Sequence, residues 1–172
     1  RKGVKELLTA LALTDATVRD GWVLDIVGDG PSRDDLQQLA AELGLSQNCV
    51  FHGRVAYREI GRFYRDCDLV ISPTLADYRS LGGFEAVNAG RPLLTSVHDG
   101  ASRELAELAP AVELIDPRDA PALAAVLNRY LARDGYLQER KRAAAEVPEW
   151  FSVAGVGRNL TRLVGAALNS RP

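Results

Sequence analysis

Trp22-Val23-Leu24-Asp25-Ile26-Val27-Gly28-Asp29-Gly30-Pro31 decides the fold. Its first six residues form a nearly unbroken apolar run with β-branched members, and the glycines and proline behind them end it. The run predicts a strand over 22–27, buried on both faces as parallel strands are. Ser32 follows as a helix cap, and Leu36, Leu39, Ala40 and Leu43 recur at i, i+3, i+4 and i+7 before Gly44 closes the helix. A buried strand, a glycine-rich turn and an amphipathic helix together make half of a βαβ unit.

The same rhythm extends in both directions. Upstream, Val4, Leu7, Leu8 and Leu11 mark a helix over 4–12. Downstream, Cys49-Val50-Phe51-His52-Gly53 reads as a strand, followed by a helix with Ile60, Phe63 and Tyr64 on one face. Leu69-Val70-Ile71-Ser72 is the next strand and stops at Pro73. A loop from Thr74 to Ser80 leads to a helix around Phe84-Glu85-Ala86-Val87, ending at Gly90. Then come the strand 93–96, a short helix 102–108, the strand 112–115 and an Asp119-capped helix carrying Leu123, Val126, Leu127 and Leu131. The last two expected helices run from Tyr136 to Glu146 and from Ser152 onward, the second with a Val153, Val156, Leu160, Leu163, Ala167 stripe. The expected class is α/β, a Rossmann-like doubly wound parallel sheet with a helical C-terminus.

The 172 residues suffice for one domain, burying roughly 70% of the unfolded chain's surface. A 47% hydrophobic, 26% charged composition excludes disordered, collagenous and disulfide-scaffold classes. Net charge is -2, so no global field draws nucleic acid or anionic membrane, and an anion site must be local. Cys49 and Cys67 adjoin apolar runs and read as small buried hydrophobes. No apolar run reaches the ~18 residues of a membrane span and no leader opens the chain, which suggests a cytoplasmic protein. With no Met and a start in mid-pattern at Arg1-Lys2-Gly3, the expectation is a fragment whose first strand is missing.

In a parallel α/β sheet the chemistry gathers beyond the carboxyl ends of the strands. Gly28-Asp29-Gly30-Pro31 is either a tight turn or a close approach to a ligand. Arg33 stands where a G-x-G-x-x-G fingerprint needs glycine, which disfavours ordinary NAD binding. Gly53-Arg54 pairs a glycine with a cation after a strand. Asp77-Tyr78-Arg79-Ser80-Leu81-Gly82-Gly83-Phe84-Glu85-Ala86 is the richest segment. Its Ser-Leu-Gly-Gly helix start offers backbone N–H groups and a positive dipole end to phosphate oxygens, and Glu85 could bond a ribose diol. The plainer reading makes Asp77 and Glu85 surface acids and the glycines simple turns. His98-Asp99 and a lone His52 cannot assemble a metal or hydrolase constellation. Asp66-Cys67-Asp68 lies at the wrong end of a strand for a ligand and reads as structural.

Taken in order, Lys2-Gly3, Val27-Gly28-Asp29-Gly30-Pro31, Val50-Phe51-His52-Gly53, Asp68 to Pro73 and Glu85-Ala86-x-x-Ala89-Gly90-x-Pro92 are distinctive. Asp99-Gly100 with Glu104, Ile115-Asp116-Pro117 with Asp119, and Trp150-Phe151-Ser152 continue the series. The chain resembles the C-terminal, donor-binding half of retaining GT-B-fold glycosyltransferases of the large family four. That resemblance implies a single nucleotide-sugar-binding domain over residues 1–172, part of a two-domain enzyme. It implies transfer of a sugar, with retention, from a UDP- or GDP-linked donor to a glycan or lipid acceptor held by the absent N-terminal domain. The fragment alone would be inactive. No cofactor or metal is implied, and no nucleic acid partner; the enzyme would be cytoplasmic or peripheral at the membrane.

The resemblance also assigns roles. Glu85 matches the second acid of the family's E-x7-E pair and would hold the nucleotide ribose. Asp77 stands at the first acid, one methylene shorter, and would contact the transferred sugar. Amides around Ser80, Leu81 and Gly82 would hold the diphosphate, with Lys2 neutralising it. Gly53, Arg54 and Gly28 would lie near the nucleotide. The alternatives are a nucleotide-sugar epimerase-like enzyme, for which no acid-base pair stands out, and a non-catalytic nucleotide-sugar-binding module.

Overall fold

A computed structural model describes residues 1–18, 21–132 and 135–146. The order of elements is α1 (Val4–Ala12), β1 (Leu24–Val27), α2 (Arg33–Glu42), β2 (Cys49–Gly53), α3 (Tyr57–Asp66), β3 (Val70–Ser72), α4 (Leu81–Asn88), β4 (Leu93–Ser96), α5 (Ser102–Leu108), β5 (Val112–Ile115), α6 (Ala120–Leu131) and α7 (Tyr136–Ala145). A short 3-10 turn, Ala16–Val18, follows α1. The expected final helix from Ser152, and the Trp150-Phe151-Ser152 match, lie outside the described residues.

All strand pairs are parallel. β1 pairs β2 with Leu24 opposite Cys49 and Ile26 opposite Phe51, and β4 lies between β3 and β5. Alternating side chains along β4 and β5 feed two cores. Leu94 and Ile115 join Leu7, Leu8, Leu11, Leu45, Leu123 and Leu127 on one face, where α1, α2 and α6 pack. Leu93 and Val112 join Ala86, Val87, Leu105 and Ala109 on the other, beneath α4 and α5. Helices on both faces of a parallel sheet give the doubly wound architecture.

Two local expectations are corrected. The first strand begins at Leu24, and it is not buried on both faces: Leu24 packs against the core and Ile26 is half-buried, while Val23 and Val27 stand 64% and 39% exposed. Burial on both faces needs a helix layer over each, and the face of β1 that carries Val23, Asp25 and Val27 is exposed; β4, the central strand between β3 and β5, is buried throughout. Ser32 does precede α2, but its side chain makes no cap bond. Asp119 makes its expected cap, accepting from Ala122 N at 3.0 Å.

Candidate functional site

The loops beyond the carboxyl ends of the strands are tied together by backbone and ion-pair contacts. Gly28 N donates to Gly53 O at 2.8 Å, so the turns after β1 and β2 meet. Gly53 has φ 66, and the Arg33 guanidinium lies so close that an added Cβ would stand 2.7 Å from it. A side chain at Gly53 is therefore strained by the left-handed backbone, while the Arg33 guanidinium, the end of a flexible side chain, can move aside. Arg54 is exposed beside this junction. His52 does not reach the loops, pairing back to Asp25 at 2.6 Å.

The loop after β3 is more elaborately held. Asp77 N donates to His98 O at 3.2 Å and Gly100 N to Asp77 O at 3.1 Å, a strand-like bridge to the loop after β4. Lys2 Nζ sits 2.7 Å from Asp77 Oδ2, so the residue expected at the diphosphate and the one expected at the sugar are ion-paired. The Lys2 hydrogen bond holds the Asp77 carboxyl below its usual range. Arg79 forks onto both Glu104 oxygens at 2.6 and 3.2 Å and lies over the Phe84 ring, and its hydrogen bond lowers the Glu104 carboxyl likewise. His98 Nε2 is 3.0 Å from Asp116 Oδ1, and Asp116 is held low chiefly by the Arg118 backbone N–H. A cavity of about 370 Å³ is lined by Asp77, Tyr78, Arg79, Val97, His98, Asp99 and Gly100.

Ser80 stands at the cap position of α4 in extended conformation, yet its hydroxyl does not cap the helix. It donates instead to Asp99 Oδ2, while Ser80 N donates to Asp99 Oδ1 at 3.3 Å. Asp99, only 4% exposed, also accepts from Ala101 N at 3.0 Å. The Ser80 amide, expected to face an anion, is thus engaged by a carboxylate. The first amides of α4, Leu81 and Gly82 among them, are left without a side-chain cap at the positive end of the helix dipole.

Glu85 lies one turn into α4, half-buried. Among the described residues, its carboxylate is bonded by the Tyr64 hydroxyl, which donates to Oε2 at 2.9 Å. Burial raises the Tyr64 hydroxyl well above its ordinary range, and the Glu85 carboxylate adds to the rise.

Residues 1–149 match the family described as Glycosyl transferases group 1. The chain belongs to that family. Among curated relatives, it is 33% identical over 145 residues to the lipopolysaccharide core biosynthesis glycosyltransferase LpsD of Rhizobium meliloti, covering 83% of this chain and 39% of that protein. It is 30% identical over 147 residues to the 2-deoxystreptamine glucosyltransferase of Streptomyces kanamyceticus, covering 84% and 37%. The chain therefore spans about two fifths of such relatives. WaaG, a glycosyltransferase involved in lipopolysaccharide biosynthesis, shares the fold at TM-score 0.76 and 23% identity over 93% of this chain and 43% of that one. HepE of Anabaena, solved with UDP, does so at TM-score 0.74 and 23% identity over 96% and 45%. The fold is thus that of GT-B glycosyltransferases.

Within this group 1 domain the geometry adds two residues that sequence reasoning did not place at the site. Tyr64 reads in sequence as one more apolar residue on the inward face of α3, and nothing local connects it to Glu85. Asp99 reads in sequence only as an acid beside His98, too little for acid-base chemistry; in the structure His98 pairs with Asp116 and Asp99 turns to Ser80. Asp68, at the amino end of β3, pairs with Lys141 at 2.6 Å. No group of three metal-ligating side chains occurs among the described residues, and none of their helices is long and apolar enough to cross a membrane.

Proposed function

We propose that this chain is the nucleotide-sugar-binding domain of a retaining glycosyltransferase, taking a UDP- or GDP-linked sugar as donor. The observation that carries the reading is the start of α4. Uncapped amides at Leu81 and Gly82, the Glu85 carboxylate one turn further on and Asp77 in the preceding loop lie in one continuous segment, and Lys2 reaches Asp77 from the start of the chain. The amides suit the diphosphate, Glu85 the ribose diol and Asp77 the sugar hydroxyls. Gly28, Gly53 and Arg54 flank the nucleobase side. The UDP found in HepE supports the choice of donor, and the family-four resemblance supports retention.

Negative charge grows on the leaving diphosphate in the transition state. Helix amides and Lys2 stabilise it as it forms, which is the interaction that lowers a barrier rather than merely binding substrate. Lys2 begins paired with Asp77, so its ammonium is already placed and its charge partly offset until the diphosphate adds a stronger partner.

In this reading, polypeptide outside residues 1–172 supplies an acceptor domain for a glycan or lipid and one further strand. Arg1 O accepts from Leu75 N at 2.9 Å and from Thr74 Oγ1 at 3.2 Å, placing the start of α1 at the carboxyl end of β3. β1 and β3 each have one described neighbour. A parallel strand between them completes the doubly wound order with right-handed crossovers. Cys49 and Cys67, both unbridged, suit a reducing compartment and hence a cytoplasmic enzyme, peripheral to the membrane where its acceptor is lipid.

Calorimetry of the full-length protein with UDP, GDP and their sugar conjugates tests the reading. One nucleotide diphosphate binds, and Glu85→Ala weakens it by about 1.5–3 kcal/mol, the scale of hydrogen bonds to a charged group. Unchanged affinity in a folded Glu85→Ala protein overturns the site assignment. The anomeric configuration of the product, read by NMR, tests retention.

A further inference from the structure

Tyr64 sits in the last turns of α3 with its ring partly buried against the Ala86, Val87, Leu93 and Leu105 cluster. An aromatic ring in such a place needs no hydroxyl to fill it, and phenylalanine would serve the packing as well. The hydroxyl nevertheless leaves the apolar cluster and donates to Glu85 Oε2 at 2.9 Å, with the Gly82 carbonyl oxygen 3.5 Å away. It thus touches both ends of the segment that begins α4. The contact bridges residues 21 apart in sequence, joining α3 to α4 at the one carboxylate the ribose reading depends on.

A glutamate has three side-chain torsions, and an untethered one loses that freedom when it captures a diol. Tyr64 removes part of that loss beforehand, because it occupies one carboxylate oxygen and fixes the plane of the group. Oε1 then remains as an acceptor for the ribose hydroxyls. A charge-assisted bond from a half-buried phenol is strong enough to hold this geometry.

We propose that Tyr64 is a positioning residue that sets ribose recognition by orienting Glu85. The inference rests on the reading of Glu85 as the ribose ligand. It makes the hydroxyl of Tyr64, and not its ring, a determinant of how well the protein tells a ribonucleotide from one lacking the diol.

The test is calorimetry of the full-length protein with UDP and with 2′,3′-dideoxy-UDP, or the guanosine pair if GDP is the nucleotide bound. The wild type prefers the ribonucleotide by about tenfold or more, the worth of a good hydrogen bond to a charged group. Glu85→Ala abolishes the preference. Tyr64→Phe cuts it to about threefold or less while leaving dideoxynucleotide affinity unchanged and the protein folded, its melting temperature lower by only a few degrees, and in turnover it raises KM for the donor more than it lowers kcat. Full ribose preference in Tyr64→Phe, with the preference still lost in Glu85→Ala, overturns the role of Tyr64 and spares that of Glu85. A wild type with no ribose preference, or a Glu85→Ala protein that keeps it, overturns the Glu85 reading and this inference with it.

Discussion

Asp77 shows how much a single methylene can decide. The residue is tethered at three points: Lys2 holds the side chain, while the backbone N–H and carbonyl bridge to the loop of His98 and Gly100. The backbone is therefore fixed, and side-chain length alone sets how far the charge projects. In the proposed site that reach decides which sugar hydroxyls meet the carboxylate. Asp77→Glu extends it by about 1.5 Å, one carbon–carbon bond, and is expected to change which sugar is transferred, measured as the ratio of kcat/KM across donor sugars. Affinity for the sugar-free nucleotide diphosphate stays within about twofold. If nucleotide affinity moves and the sugar ratio does not, Asp77 faces the diphosphate instead. Asp99 works on a different principle, because its carboxylate satisfies the Ser80 hydroxyl and amide together with the Ala101 amide. It joins the starts of α4 and α5 through their cap residues, Ser80 and Ala101.

At the scale of elements, the approach of α1 to β3 is the tightest constraint. Gly3 precedes α1 at φ 71, and a Cβ there would lie 1.7 Å from the Pro73 carbonyl oxygen. Backbone cannot yield as a flexible side chain can. Gly3→Ala is expected to destabilise the fold by at least about 2 kcal/mol, from left-handed strain alone plus the clash, read as a lowered denaturation midpoint; a midpoint within error of wild type would show that the α1–β3 junction shifts freely. The helices were legible in the sequence because a 3.6-residue apolar period is a local signal, and α1 falls on the residues that it marks. Strand burial was less so: the apolar run 22–27 looks the same as a doubly covered strand, but its burial depends on neighbours that no local pattern encodes. The site divides in the same way. The glycine-rich helix start, Glu85 and Asp77 stand out by residue type and spacing, and Lys2 by resemblance. Tyr64 and Asp99 act across 21 and 19 residues of sequence, through contacts that exist only once α3, α4 and the loop after β4 are folded together.

Across the whole molecule, a net charge of -2 leaves no strong global field, so the carboxyl-end loops are joined by discrete pairs. Lys2–Asp77 links the chain start to the loop after β3, Arg79–Glu104 links that loop to α5, and His98–Asp116 links the loops after β4 and β5. Each carboxyl titrates below its ordinary value of 3.8 for Asp or 4.5 for Glu. The unfolded chain then binds protons before the folded one as pH falls, so acid draws the equilibrium toward unfolding. The stabilisation is complete above the unfolded values and is lost as pH drops through the lower, folded ones. The triple variant Asp77→Asn, Glu104→Gln, Asp116→Asn removes this linkage while keeping side-chain size. It is expected to melt below wild type at pH 7 and to converge with it on approaching pH 3, in melting curves taken at a series of pH values. High salt narrows the pH 7 gap, because the pairs are largely exposed and screened. A gap that persists undiminished at pH 3 would mean that the three carboxylates stabilise the loops by shape and neutral hydrogen bonds, not by charge.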